Sequence, residues 1–240
     1  MPVLITGMHR SGTSMIARLL NLCGLYLGRV DEMIDPRPDN PRGFWEHYCF
    51  MMVSEYIIKK YGYHELIEGE VPILLRDDWQ YDEGLKTSYL WAKRLAHSME
   101  NSTDGVWGFK DCRASLLLPF WYEIVPDLKV VICLRHPLDV AASLIARGDG
   151  VAEEHAVWSW YTYNRVLLDT AKDYQIRSYD EFFTQPWDWT GLQSMCDYCG
   201  LEPRVEALGE VIPSLRHRRT RDSTRLPQKV RELYEEMRNV

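Results

Sequence analysis

Near the start of the chain lies Val3-Leu4-Ile5-Thr6-Gly7-Met8-His9-Arg10-Ser11-Gly12-Thr13-Ser14, an apolar run followed by a turn with two glycines, several hydroxyls and one arginine. The apolar run is typical of a buried strand, and residues 14–23 have the apolar spacing of a helix. Glycines allow a sharp turn that aims backbone N–H groups inward, and the following helix N-terminus adds partial positive charge. The stretch therefore predicts a strand, an anion-binding loop and a helix.

The spacing of Gly7 and Gly12 matches the P-loop of nucleotide-hydrolysing proteins, in which Lys and then Ser or Thr follow the second glycine. Here Thr13 and Ser14 follow it, and the basic residue lies inside the loop at Arg10. A kinase or ATPase without the loop lysine lacks its contact with the β- and γ-phosphates. The loop is thus predicted to bind a phosphate-like group that need not be a nucleoside triphosphate.

The composition excludes several classes of protein. The chain has 240 residues, 46% of them hydrophobic, and a formal charge of −7, which argues against a general nucleic-acid binder because such proteins need a basic surface. Neither a signal peptide nor an apolar run of about 20 residues is found, so we expect no membrane span. Six cysteines in a chain of this length do not form a disulfide scaffold, and the expected compartment is the reducing cytoplasm.

Short apolar runs alternate with helical patterns along the rest of the chain. Further strands are predicted at residues 106–110, 128–134 and 175–178. Helical spacing is found from Phe44 to about Tyr61, at residues 85–99, 138–147, 158–172 and 192–199, and from Gln228 onward. This alternation predicts an α/β fold, with a mostly parallel sheet of about four to five strands flanked by helices. We expect one domain over residues 1–240, in which residues 24–82 form an insertion on the acceptor side and residues 63–82 a surface loop or lid.

Polar side chains follow each predicted strand at the point where it ends. Arg10 follows the first strand, Lys110 and Asp111 end the second, Arg135 ends the third, and Tyr179 ends the fourth. Ligands of parallel sheets bind beyond the carboxyl ends of the strands, so we expect these side chains to converge on one site.

The loop resembles the 5′-phosphosulfate loop of the sulfotransferases that use 3′-phosphoadenosine-5′-phosphosulfate (PAPS), in the form common among bacterial members. The second signature of that family is an arginine at a strand end and a serine eight residues later, which matches Arg135 and Ser143. The resemblance implies a P-loop-like fold, PAPS as donor, 3′-phosphoadenosine-5′-phosphate (PAP) as product and no required metal. The donor contacts that it implies are Gly7, His9, Arg10, Ser11, Gly12, Thr13, Ser14, Arg135, Ser143 and Tyr179, with Arg216 and Arg218 as candidates from the basic run 216–221.

The resemblance also implies a set of catalytic residues. Arg10 and Lys110 would stabilise charge on the sulfonate and on the leaving phosphate, and Glu46 would accept the proton of the acceptor. Asp111 is an alternative base, or it orients its neighbours, and His9 is a further alternative. A histidine found in the cytosolic branch of the family is replaced here by Cys112.

The expected activity is transfer of a sulfuryl group to a hydroxyl, or alternatively an amine, of a saccharide or small molecule. Two other functions stay open on the sequence alone. A P-loop kinase with a degenerate loop would bind ATP with Mg²⁺, and a non-catalytic protein would bind the nucleotide without turnover.

Overall fold

A parallel sheet of four strands lies at the centre of the computed structural model, which describes residues 1–61, 82–148, 150–183, 189–213 and 222–240. The strands are β1 Val3–Thr6, β2 Gly108–Lys110, β3 Lys129–Leu134 and β4 Tyr174–Ser178, in the order β2-β1-β3-β4. All three pairings are parallel. The predicted α/β fold with a parallel sheet is confirmed.

Eight helices flank the sheet in the part of the chain just defined. They are α1 Thr13–Leu22, α2 Tyr48–Lys60, α3 Glu83–Asn101, α4 Leu118–Ile124, α5 Pro137–Arg147, α6 Glu153–Thr170, α7 Trp189–Cys199 and α8 Gln228–Arg238. None of the described helices has the length and apolar character required to cross a membrane.

Strands β1 and β3 are buried on both faces, which explains their nearly continuous apolar sequences. Leu4, Val130 and Ile132 belong to one apolar cluster with residues of α2 to α6 and α8. Val131 and Cys133 alternate with them and belong to a second cluster with α1 and α7. The period of two along each strand therefore separates two cores, one on each side of the sheet.

Several element boundaries differ from those predicted, and one helix was missed. The second strand spans only Gly108–Lys110, because Trp107 instead forms an isolated parallel bridge with Tyr26. Helix α6 begins at Glu153 rather than at residue 158, and its first turn carries acidic residues that favour a helix N-terminus. Helix α4 was not predicted.

The described part of the predicted insertion runs along the β2 edge of the sheet. Tyr26 lies beside Trp107, and Met33 forms an antiparallel bridge with His47. The backbone N–H of Ile34 donates to the carbonyl of Glu46 over 2.9 Å, which fixes Glu46 just before the first turn of α2. The predicted lid at 63–82, apart from its last residue, and both Arg216 and Arg218 lie outside the described residues.

Candidate active site

The two glycines of the first loop make contacts that no larger residue tolerates. Gly7 has a φ of 136°, and a Cβ built on it would lie 2.5 Å from the carbonyl oxygen of Cys133. Gly12 has a φ of 94°, and a Cβ there would lie 2.2 Å from the ring of Tyr179. Arg10, between them, has a φ of 68°, a left-handed conformation that is uncommon outside glycine. The loop is therefore closely fitted to its neighbours.

The base of the loop is fixed to the chain that leaves β2. The hydroxyl of Thr6 donates to the carbonyl of Asp111 over 2.7 Å and lies 2.8 Å from the hydroxyl of Ser115. The N–H of Gly7 donates to that same Ser115 hydroxyl over 3.1 Å. Ser115 lies in a 3₁₀ helix, Arg113–Leu116, and was not among the predicted site residues.

The loop contains a buried donor that suits an anion. Ser11 is only 1% exposed, and among the described residues its hydroxyl has no hydrogen-bond partner. Helix α1 begins directly after Gly12, and no side chain caps its N-terminus. A buried hydroxyl beside the uncapped N-terminus of a helix has the chemistry of a phosphate or sulfate cradle.

The loop and the predicted second signature meet in space. The Nε of Arg10 donates to the Oγ of Ser143 over 2.9 Å. Arg135 donates to the backbone carbonyl of Arg10 over 3.0 Å, and its guanidinium lies 4.6 Å from the ring centroid of Tyr179. The indole N–H of Trp160 donates to the backbone carbonyl of Arg135 over 3.0 Å. The ends of β1, β3 and β4 thus converge, as their parallel arrangement predicted.

Two neighbours of the loop were missed by the sequence analysis. The guanidinium of Arg10 donates to the backbone carbonyl of Asp39 over 3.4 Å. It also lies 3.5 Å from the carboxylate of Asp39. The amide of Asn40 donates to the hydroxyl of Ser14 over 3.1 Å. Both residues lie more than 20 positions from the loop, and no local pattern indicates either contact.

A buried ion pair lies beyond the ends of β1 and β2. The ammonium of Lys110 donates to Glu46, and the two residues are 3% and 5% exposed. Arg113 lies 3.6 Å from the other oxygen of Glu46 and 3.0 Å from Asp111. Asp111 also accepts the backbone N–H of Arg113 over 3.0 Å, so this fully buried carboxylate orients the arginine.

A sequence profile described as the Sulfotransferase family matches residues 2–206. The chain belongs to this family. No curated protein sequence gives a significant match.

Solved structures show the same fold at low sequence identity. The sulfotransferase domain of the olefin synthase of Synechococcus PCC 7002 has a TM-score of 0.52 and 17% identity, over 100% of this chain and 87% of that one. The sulfotransferase domain of the curacin biosynthetic pathway has a TM-score of 0.53 and 14% identity, over 89% of this chain and 78% of that one. Sulfotransferase STF9 from Mycobacterium avium has a TM-score of 0.50 and 15% identity, over 87% of this chain and 66% of that one.

The charges of the buried pair in this sulfotransferase keep both partners ionised at neutral pH. Burial raises the pKa of Glu46, but Lys110 and Arg113 outweigh burial, and the resulting pKa lies below the usual range. Burial lowers the pKa of Lys110, but acidic neighbours, with Glu46 as its hydrogen-bond partner, raise it above its ordinary value. Glu46 is consequently an ionised carboxylate at neutral pH.

Two further residues beside the pair are uncharged. His9 is 6% exposed, its ring meets Tyr163 edge-on, and burial together with Arg113 holds its pKa well below the ordinary value. Burial raises the pKa of the Cys112 thiol, which lies 3.4 Å from the hydroxyl of Thr13. In the sulfotransferase, these groups contribute a neutral imidazole and a neutral thiol at physiological pH.

Proposed function

We propose that this sulfotransferase moves a sulfuryl group from PAPS to a hydroxyl of a small-molecule or carbohydrate acceptor and releases PAP. The observation that carries the proposal is the contact between Arg10 of the first loop and Ser143 of the second signature. It supports a single continuous surface that binds both anionic ends of one nucleotide.

The donor would be held by side chains whose chemistry suits its two anionic ends. The guanidinium of Arg135 and the hydroxyl of Ser143 would bind the 3′-phosphate, since a planar guanidinium matches phosphate in a bidentate manner. The loop N–H groups, Arg10 and the buried Ser11 hydroxyl would bind the 5′-phosphosulfate. Tyr179 would lie near the adenine, and Arg216 and Arg218 would cover the nucleotide.

PAPS supplies a sulfuryl group on a good phosphate leaving group. Glu46 would take the proton of the acceptor hydroxyl while that oxygen forms its bond to sulfur. Arg10 and Lys110 would stabilise the negative charge on the phosphate oxygen whose bond to sulfur breaks. Glu46 is preferred to Asp111 as the base because Glu46 belongs to the segment proposed for the acceptor side, whereas Asp111 is 0% exposed and orients Arg113 through two hydrogen bonds.

We also propose that the whole chain is one domain and that residues 24–82 contribute the acceptor side. Glu46 lies in the described part of this segment, shortly before α2, and pairs there with Lys110. An acceptor that reaches Glu46 would therefore touch this segment.

The proposal is tested with ³⁵S-labelled PAPS and a panel of phenols, alcohols, amines and oligosaccharides. The expected result is labelled product from a hydroxyl acceptor and release of PAP. Binding of ATP with Mg²⁺ in preference to PAP, or binding of PAP without turnover on any acceptor or on water, would contradict it and favour the kinase or the non-catalytic alternative.

A further inference from the structure

Trp45 has a strained backbone one residue before Glu46. Its φ is 56°, and a left-handed conformation is an outlier for a bulky aromatic residue. Such a conformation persists only where surrounding contacts hold it, and it is found preferentially at functional sites. The left-handed backbone of Trp45 must therefore be held by contacts with its surroundings.

The indole of Trp45 is fixed on the outer side of α1. The guanidinium of Arg18 lies 4.4 Å from the ring centroid, a cation–π geometry, and the indole N–H donates to the carbonyl of Arg42 over 3.0 Å. Trp45 also packs partly buried against the apolar cluster that contains α1. Arg18 also donates to the side-chain oxygen of Asn21 over 2.9 Å, a contact on α1 that does not involve Trp45.

Residues 37–46, here called the strap, contact α1 and the preceding loop at three points. Asp39 meets Arg10, Asn40 meets Ser14, and Trp45 meets Arg18. Ser14 and Arg18 are four residues apart and share one face of the helix. Because α1 begins at the anion loop, one rigid element supports both that loop and the strap that ends in Glu46.

We propose that Arg18 and Trp45 are positioning residues that hold the carboxylate of Glu46 against Lys110. The inference rests on the proposed function, because it takes Glu46 as the base. The left-handed backbone at Trp45 redirects the chain immediately before Glu46, and the docked indole sustains that direction. Loss of the dock releases the backbone strain and displaces the carboxylate, while Arg10 keeps its contacts with Ser143 and Arg135, which do not involve the strap.

Three variants separate this role from a general effect on folding. Arg18→Met removes the cation and keeps the apolar stem over the ring, Arg18→Lys keeps a cation, and Asn21→Ala removes the other partner of Arg18. PAP release from PAPS is measured with the best acceptor of the panel and with water, and PAP affinity by calorimetry. Arg18→Met should lower kcat about 10-fold with unchanged PAP affinity, since a small displacement of a catalytic group has an effect of this order. Arg18→Lys should restore most of the rate, and Asn21→Ala should match the wild type.

Two outcomes overturn the inference: wild-type kcat in Arg18→Met, or an equal loss in Arg18→Met and Arg18→Lys. A crystal structure of Arg18→Met gives an independent readout, since Glu46 should have left Lys110, and an intact pair refutes the inference. Glu46→Gln, measured in parallel, distinguishes the two levels. If Glu46→Gln keeps the wild-type kcat, the proposed base is wrong. If Glu46→Gln has a lowered kcat and Arg18→Met keeps the wild-type kcat, only the positioning role is rejected.

Discussion

The Nε of Arg10 donates a hydrogen bond of 2.9 Å to the Oγ of Ser143, 133 positions later in the chain. The two residues belong to the two parts of the sequence that resemble donor-binding motifs. Arg10 follows β1 and Ser143 lies in α5, which follows β3, and the fold brings their side chains into direct contact. A ligand bound by one motif therefore changes the environment of the other.

Glu46→Gln tests the base. An amide of the same shape cannot accept the proton, so we expect kcat to fall by about 10²-fold or more, the usual scale for general-base catalysis, with PAP affinity unchanged. Glu55→Gln, on the partly exposed side of α2 where Glu55 pairs with Lys59, is the matched control and should have wild-type kinetics. Equal rates in both variants would transfer the role to Asp111 or His9.

Lys110→Met tests the electrostatic coupling of the ion pair. The ammonium favours the carboxylate form of Glu46, so its removal raises the pKa of Glu46, with Arg113 as the main cation that still opposes burial. Besides a lower rate, we expect the acid limb of the kcat/KM profile to move to higher pH. In the wild type that limb should lie below the ordinary range of a glutamate, about pH 4.5. A limb that stays in place would show that Glu46 is not the titrating group.

Gly12→Ala tests the close fit of the loop to Tyr179. The new methyl group would lie 2.2 Å from the ring of Tyr179, and the alanine would also have to adopt the left-handed backbone of Gly12. Gly148→Ala is the control, because Gly148 has a φ of 88° but open space around it. We expect the control to lose about 1–2 kcal/mol of unfolding free energy from the backbone alone. Gly12→Ala should lose more and also lose PAP binding, so equal stability of the two variants would contradict the packing described.

His9 is expected to make stability depend on pH. Its pKa is held well below that of the unfolded chain, so below about pH 6.5 the unfolded state binds a proton that the folded state does not. The unfolding free energy should then fall as pH decreases, by up to about 1.4 kcal/mol per pH unit. His9→Asn should have a shallower slope in denaturant titrations from pH 7 to 5. Parallel curves would mean that His9 is protonated in the folded state.

The elements with a strong local pattern were the ones that the sequence predicted. The strand, loop and helix from Val3 to Leu22 and the strand Lys129–Leu134 follow from apolar runs, glycines and helical spacing. Helix α4 was missed because its seven residues, with a proline in the first turn, are too few to show a period. Trp107 was assigned to a strand on its apolar neighbours, and the structure places it just before β2, where it bridges to Tyr26 and accepts the backbone N–H of Val3 over 3.0 Å.

In the site, residue types were predictable and contacts were not. Parallel strand ends explain why Arg10, Lys110 and Arg135 converge. The contacts of Asp39 with Arg10 and of Ser115 with Gly7 depend on chain segments far apart in sequence, and short polar residues in loops give no signal of their partners. The strained backbone of Trp45 has no sequence signature either, since left-handed residues are normally glycine or asparagine.

The most direct test of the account compares the affinities of PAP and AMP, which differ by the 3′-phosphate, by calorimetry at one ionic strength. In the wild type, PAP should bind more tightly by about 2–4 kcal/mol, the scale for a charge-assisted phosphate contact, which is about 30- to 800-fold. In Arg135→Ala this difference should largely disappear, and in Arg165→Ala, which removes an exposed arginine of α6, it should persist. Equal wild-type affinities for PAP and AMP, or an undiminished preference in Arg135→Ala, would contradict the account.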